Sequence, residues 1–375
     1  MFDGVRLNLM IGPAVPVPVG RNVLDAVTDV QVTTSTNGPS GFQLSFTLSN
    51  RSPLQTLFML SGGSPIPLVR VVIAVTVGGS SEVLIDGVMT NHQLSPGQGG
   101  GESTLTVIGE DLSRVMDYID LSGLPYPAMP PSARVLLAVA KYAVFGVVPK
   151  VIPSVALDVP IPVDRIPRHQ GTDLAYITQL AGEVGYSFFM EPGPTPGMSF
   201  AYWGPEIRLG VPQPALNTDF DAHTNVESLS FSFDNSKAKI PVLFIHEENS
   251  KAIIPIPVPP ITPLSPPLGA IPPIPNGLQF LEGTAKMSPA RAVMVGLAEA
   301  AKSYDAVTGT GSLDVVRYGR VLKARRLVGV RGAGTAFDGL HYVTSVTSKL
   351  RRGEFKQDFQ LVRNGLISTL PTVAA

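Results

Sequence analysis

Histidines and carboxylates are where chemistry would begin in this chain, and they do not converge. The five histidines are His92, His169, His223, His246 and His341. No two share a helix at metal-ligand spacing and no HExxH occurs, so a zinc-protease centre has no scaffold. His246-Glu247-Glu248, joined by His341 from another strand, is the nearest approach to a zinc set, and a solvated strand end is the plainer reading. Glu110 and Asp111 imitate a glycosidase pair, but adjacent residues at a strand end point apart, whereas two catalytic carboxyls must flank one bond. No GxSxG elbow presents a nucleophile. Gly332-Ala333-Gly334 lies among strands and reads as a hairpin turn, not a phosphate cradle. Cysteine is absent, which excludes a disulfide framework, a thiolate nucleophile and Cys-ligated zinc. No catalytic residue, cofactor or metal is therefore expected.

One charge pattern does stand out. Between Leu313 and Arg363 the chain carries eleven basic and four acidic residues, a net of +7 where the whole chain is −1. The candidate contacts to a partner or to a central channel are Arg317, Arg320, Lys323, Arg325, Arg326, Arg351, Arg352 and Lys356. Such polarity can dock subunits head to tail or meet an acidic partner. Aromatic interleaving is thin, with Tyr318, Tyr342, Phe355 and Phe359 at strand-like positions, so nucleic acid is not expected as a specific ligand. A solvated strand wall is the competing reading. Reversing Arg325, Arg326, Arg351 and Arg352 to Glu is expected to leave the fold intact.

The elements that must carry these residues are mostly strands. Phe42, Leu44, Phe46 and Leu48 alternate strictly, and Leu68 to Val77 is almost wholly apolar and β-branched. Gly78-Gly79-Ser80-Ser81 turns the chain into a return strand from Glu82 to Val88. A glycine loop, residues 95–101, precedes another strand, and Asp111 to Tyr118 reads as a short helix. In the middle, Ser132 caps a helix whose Val135, Val139 and Tyr142 share a side. Thr172 caps a second, with Asp173 in its first turn and Leu174, Ile177, Leu180, Ala181 and Val184 on one face. Gly185 then frees the chain to turn into a hairpin, Tyr186 to Met190 and Met198 to Tyr202. Later, Leu229, Phe231 and Phe233 alternate, and Ser288-Pro289 opens a helix with Met294, Leu297, Ala298 and Ala301 as its stripe. Between them, Ile253 to Pro275 holds ten prolines. That composition favours polyproline II over helix or sheet ladder, and marks a surface insertion outside either core.

Composition agrees with short strands and many turns. Of 375 residues, 37 are Gly and 36 are Pro, while only 15% are charged, below the usual quarter. A surface poor in charge suits a protein covered by partners. No run of 18 apolar residues free of proline occurs, so no membrane helix is expected. The N-terminus lacks a basic leader. The expected class is mainly β with some α. The expected domains are residues 1–118, residues 119–212 as an inserted helix and hairpin region, and residues 213–375 with a Pro-rich loop at 251–276.

Three stretches carry a resemblance. RHQGTDLAYITQLAGEVGYSFF, from Arg168, is similar to the segment of phage late control D proteins that runs through a Thr-Asp-Leu helix into Glu-x-Gly-Tyr-x-Phe. GLHYVTSVTSKLRRGEFKQDFQLVRNGL, Gly339 to Leu366, resembles the family's closing hairpin and its Arg-Asn-Gly end. GEDLSRVMD, Gly109 to Asp117, resembles the exit from its first barrel. The matches follow the family's order over most of the chain. These proteins are baseplate hubs of contractile tails and related injection systems. The resemblance implies two tail-tube-like β-barrels separated by an inserted α/β region, no enzymatic activity, and a homotrimer. That trimer would join a hexameric tail tube protein to a separate spike protein, beside other baseplate proteins and the tape measure protein. Assembly in the cytoplasm into a virion tail or injection particle follows, with no membrane partner. The rivals from other classes are a tail-associated cell-wall hydrolase and a carbohydrate-binding β module, which the solitary Trp203 disfavours.

Overall fold

Period-two alternation builds the first segment. Its strands are β1 (Val5–Gly12), β2 (Val17–Pro18), β3 (Val27–Ser35), β4 (Gly41–Leu48), β5 (Arg70–Val77), β6 (Ser80–Ser95) and β7 (Ser103–Asp111), with a short helix α1 (Arg21–Ala26) before β3. Phe42, Leu44, Phe46 and Leu48 of β4 are all buried, as strict alternation requires. The structure, a computed structural model, describes residues 4–370 apart from 37, 49–67, 98–101, 155–159, 164–165, 220, 247–252, 260–263 and 285–286. Glu247, Glu248 and parts of the glycine loop and proline tract thus lie outside the described residues.

The middle region has its own core. A 3₁₀ turn, Leu112–Asp117, capped by the Asp111 carboxylate, leads into it. Helix α2 (Pro131–Ala140) starts at Pro131 with Pro130 as N-cap, so the expected cap at Ser132 falls one residue inside. Helix α3 (Asp173–Gly182) has the expected cap, Thr172 Oγ1 accepting from the Ala175 N–H at 3.3 Å. Strands β8 (Val147–Val151), β9 (Ser187–Pro192) and β10 (Ser199–Gly204) form a sheet in the order β8-β10-β9. Val135, Val139, Ile177, Leu180 and the fully buried Trp203 share this core. A buried pair clamps the region to the first segment. Arg70 Nε and Nη2 donate to both Asp86 oxygens at 2.8 and 2.6 Å, and Nη2 also reaches the Gly197 carbonyl beside β10.

The last segment contributes β11 (Gln213–Asn217), β12 (Ser228–Phe233), β13 (Ile240–His246), β14 (Ile253–Pro257), β15 (Gly269–Ile271) and β16 (Leu278–Phe280). Helix α4 (Pro289–Ser303), β17 (Val307–Asp314) and a single turn α5 (Val315–Tyr318) follow. The chain closes with β18 (Leu327–Arg331), β19 (Gly339–Arg351), β20 (Glu354–Arg363) and β21 (Leu366–Ser368). Residues 234–306 interrupt the antiparallel pair β12–β17 with a small sheet, β14-β13-β16, backed by α4.

Two expectations about this segment need correction. The proline tract does enter sheets: Ile253–Pro257 pairs antiparallel with β13, and Gly269–Ile271 pairs with β21. Prolines are tolerated there because β14 is an edge strand, where a missing N–H breaks no ladder on its outer side. Val258 and Leu268 of the tract are buried, so it belongs to the cores it was expected to avoid. The fully buried residues of α4 are Ala292, Gly296 and Ala300; of the expected stripe, Leu297 packs half-buried against that core, while Met294, Ala298 and Ala301 are not among its core residues. Close approach selects the small residues: a Cβ on Gly296 would sit 2.8 Å from Val258 and 3.0 Å from Leu243.

The architecture is mostly β, and among the described residues the strands do not close into the two expected barrels. One open sheet of 13 strands runs β12-β17-β20-β19-β3-β4-β7-β6-β5-β1-β2, with β18 and β11 branching from β19. The first and last segments meet edge to edge where β3 pairs with β19, Ser35 opposite Ser345 through Asp29 opposite Arg351. Their buried side chains form one continuous core, from Val5 to Leu361.

Candidate functional site

The eight basic residues fall in two places. Arg317, Arg320, Lys323, Arg325 and Arg326 lie on α5 and the strap after it, residues 319–326. Arg351, Arg352 and Lys356 surround the β19–β20 turn.

The strap is fastened by side-chain amides and by its ends. Asp314 caps α5, accepting from the Arg317 N–H at 3.0 Å, and Gly319 ends the turn in the left-handed region at φ 81°. Tyr318 Oη donates to the Pro214 carbonyl at 2.6 Å. Gln357 holds Leu322 at both backbone atoms, and Gln213 holds Lys323 in the same reciprocal way. Between the strap and the β5–β6 turn lies a polar cleft of about 670 Å³ lined by Glu82, Gln213, Tyr318, Arg320, Lys323 and Arg326.

Most of these cations are already spent within the chain. Lys323 pairs with Glu82 at 2.7 Å and Arg326 with Glu191 at 2.6 Å. Arg351 pairs with Asp29 at 2.7 Å across the β3–β19 joint, and Arg352 donates to the Asp25 carbonyl at 2.7 Å. Lys356 bridges Glu227 and Glu354 at 3.1 and 2.9 Å. The expectation that Arg325 faces a partner meets a side chain only 6% exposed. Its guanidinium lies 4.0 Å from the Phe189 ring centroid and donates to the Ser35 carbonyl, which ties strap, hairpin and β3 together. Burial pushes its pKa down, opposed by the nearby Asp111 and Glu191 carboxylates. It also holds φ at 61°, a conformation that a side chain with a Cβ adopts at a strain. Arg317 and Arg320 are the two members of the set for which the described residues supply no side-chain partner, and both are exposed.

A second polar cluster lies outside the basic set, in the middle region. Tyr126 Oη and His169 Nδ1 are 2.9 Å apart, and His169 Nε2 is 3.6 Å from Asp173 Oδ1. Asp173 also accepts from Lys141 Nζ at 2.8 Å and Tyr142 Oη at 2.7 Å. This has the types of an acid–base relay, but His169 and Asp173 are sealed beneath Tyr176 and the start of α3. The cluster anchors the helix. His341, considered above with the Glu247 and Glu248 pair, is fully buried against Phe231, and its Nδ1 faces the Gly339 carbonyl at 3.2 Å. Among the described residues no group of three or more His, Asp or Glu side chains could hold a metal ion. Trp203, the one tryptophan, is buried and offers no platform for a sugar.

No protein-family description matches this chain, and no curated protein matches it in sequence. Solved structures do. A tail protein of Neisseria meningitidis superposes with a TM-score of 0.62 at 13% identity, covering 97% of this chain and 98% of that one. The 43 kDa tail protein of prophage MuSo2 from Shewanella oneidensis gives 0.60 at 13% identity, over 96% and 98%. An Escherichia coli component of the type VI secretion system, described as structurally similar to bacteriophage T4 tail proteins, gives 0.55 at 12% identity, over 92% and 77%. The chain thus has the fold of phage tail proteins and their secretion-system counterparts.

Proposed function

We propose that this chain is a structural hub of a contractile tail or phage-like injection particle. It works as a homotrimer between a hexameric tail tube and the central spike, in contact with other baseplate proteins and the tape measure protein. It assembles in the cytoplasm and acts by shape and contact, without catalysis. The observation that carries this is the end-to-end likeness to two tail proteins, one of them from a prophage, with nearly all of each chain superposed on nearly all of this one. A shared domain alone would leave large parts of one chain uncovered.

In this reading each half of the 13-stranded sheet is one tube-like unit, β1 to β7 on one side of the β3–β19 joint and β11, β12 and β17 to β20 on the other. Three chains then offer six such units to a sixfold tube. Arg317 and Arg320, left without acidic partners, are the cations available to a neighbour's carboxylates.

Electron microscopy of the assembled particle is the test. Three copies at the tip of the tube, each offering two tube-like units to it, is the expected result; one or six copies would overturn the hub. Reversing Arg317 and Arg320 to Glu is expected to lower incorporation into particles while shifting stability by no more than about 0.5 kcal/mol, as for exposed sites.

A further inference from the structure

Three hollows lie in series along the strap of residues 319–326. The cleft of about 670 Å³ against the β5–β6 turn adjoins a second, of about 420 Å³, against the end of β9 and the turn after it, Glu191 to Pro194. A third, of about 140 Å³, is lined by Tyr202 and Tyr342. Each boundary is an ion pair. Glu82 and Lys323, 2.7 Å apart, line both the first hollow and the second. Glu191 and Arg326, 2.6 Å apart, line both the second and the third. The two pairs cross one groove like bars. Lys323 and Arg326 each have side chains 49% exposed. A pair so open to water holds weakly, because solvent screens it and two long side chains must be ordered to keep it. Such a pair can exchange partners.

The groove keeps an excess of positive charge after those pairs are made. Exposed Lys150 and Arg320 also line it, and among the described residues neither has a carboxylate partner. Arg325 is a further cation, but it is buried and has the Asp111 carboxylate nearby. Glu82 and Glu191 are the carboxylates lining the first two hollows, and Glu206, at the third, is held by Arg208 at 2.7 Å. With Arg325 set against Asp111, four cations (Lys150, Arg320, Lys323 and Arg326) face two carboxylates, in a chain whose net charge is −1. Apolar side chains lie among the cations: Val211, 91% exposed, and Val321 line the first hollow, and Phe200 the second. The rings at the third are engaged within the chain. Phe189 stacks on Tyr202 at 4.7 Å and lies under the Arg325 guanidinium, and Lys150 lies over Tyr202 at 5.8 Å. Bases would find no open platform there, so a nucleic acid strand fits the groove less well than a peptide.

We infer that this groove binds an extended acidic segment of a partner protein, and that Glu82 and Glu191 hold its cations until the partner's carboxylates displace them. Charge carries the choice of partner, since an uncompensated positive groove attracts carboxylates and repels cations. Arg320 and Lys150 meet the segment first, being unpaired, and Lys323 and Arg326 then change partners. The groove deepens the partner reading of Arg320 given above and rests on it for the source of such a segment.

Fluorescence anisotropy on the full chain tests it, with a labelled hexapeptide alternating Glu and Val, the same peptide with Gln for Glu, and labelled single-stranded hexathymidylate. The Glu–Val peptide is expected to bind, and to bind more weakly as salt rises; the other two are expected not to bind. Lys150→Gln with Arg320→Gln is expected to weaken binding about fivefold or more. Glu82→Gln with Glu191→Gln is expected to tighten it about threefold or more, because two cations are freed and two repelling charges removed. Glu227→Gln with Glu299→Gln removes as much charge elsewhere and is expected to leave the affinity unchanged. Circular dichroism checks each fold, and Glu82→Gln alone replaces the double variant should that one unfold. No binding of the Glu–Val peptide at millimolar concentration would overturn the inference. So would equal binding of the Gln–Val peptide or of hexathymidylate, or a Glu82 and Glu191 variant that tightens no more than the Glu227 and Glu299 one. The measurement needs no particle, so its failure would leave the threefold hub standing.

Discussion

Arg363 shows how a residue noticed as a motif acquires a physical role. It is fully buried and makes no salt bridge among the described residues, although the Asp338 carboxylate lies near enough to favour its charge; it donates to the carbonyls of Gly365 at 2.7 Å, Asp338 at 2.8 Å and Ala336 at 2.5 Å. Asn364 beside it accepts from the Leu268 and Gly269 N–H groups, so Arg-Asn-Gly ties the β15–β21 ribbon to the main sheet. Lysine has no planar fork to reach three carbonyls, and Arg363→Lys is expected to lower stability by roughly 2–4 kcal/mol in chemical denaturation. His341 lies next to this cation, and burial together with Arg363 pushes its pKa down from 6.5 to about 3. It is therefore neutral in the fold but takes a proton on unfolding below pH 6.5. Its contribution is whole above that pH and is lost progressively as pH falls towards 3. Relative to His341→Asn, wild type is expected to lose up to about 3 kcal/mol between pH 6.5 and 4, and parallel melting curves would contradict this. The basic set teaches the converse. Its residue types were legible, but its pairings were not, because Lys323 and Glu82 are 241 positions apart and Arg351 and Asp29 are 322. Reversing Arg325 with its neighbours cannot leave the fold intact as the sequence suggested: Glu there would be buried near Asp111 and Glu191, and a loss above about 3 kcal/mol is expected.

Elements were legible where one face is large and apolar and the other polar. The alternation of Phe42 to Leu48 and the cap, face and glycine turn of α3 appear in the structure as the sequence implied. Gly185 takes φ 67° and passes so close to α4 that a Cβ would meet the Met294 carbonyl at 2.5 Å, a second constraint no periodicity could reveal. Helix α4 was misread in part, because its fully buried positions are small, although Leu297 packs against the same core. Met294, Leu297, Ala298 and Ala301 line an apolar cavity of about 490 Å³ shared with Ile152, Tyr186 and Leu264. Gly296→Leu would overpack the close face, at a cost of about 1–3 kcal/mol by thermal melting. The proline tract was misread for a related reason: composition reports the scarcity of N–H donors, and says nothing of which edge they are missing from. Replacing residues 253–275 with a Gly/Ser linker removes Val258 and Leu268 from their cores, so a loss of about 3 kcal/mol or more is expected. An unchanged melting midpoint would restore the reading of a free loop.

At the scale of the molecule, sequence pattern identified strands in both outer segments but not that they share one sheet. Period two states which residues of a strand face inward; it carries no address for the neighbouring strand. The β3–β19 joint is such an address, marked by Thr33 Oγ1 and Thr347 Oγ1 at 3.1 Å between residues 314 positions apart. That separation becomes a time when the chain is made. At synthesis rates of about 5–20 residues per second, β3 leaves the ribosome roughly 15–60 s before the strand that will cover it. Through that interval β3 is an open edge, able to pair with the same strand of another nascent chain. Its outward residues are Asp29, Gln31 and Thr33, an edge too polar to aggregate readily while it waits. Gln31→Ile is therefore expected to reduce the soluble yield on expression several-fold while leaving the melting midpoint of the recovered protein nearly unchanged. Equal yields would mean that β3 finds an interim partner during synthesis. The polarity of this strand would then protect newborn chains from one another more than it stabilises the finished protein.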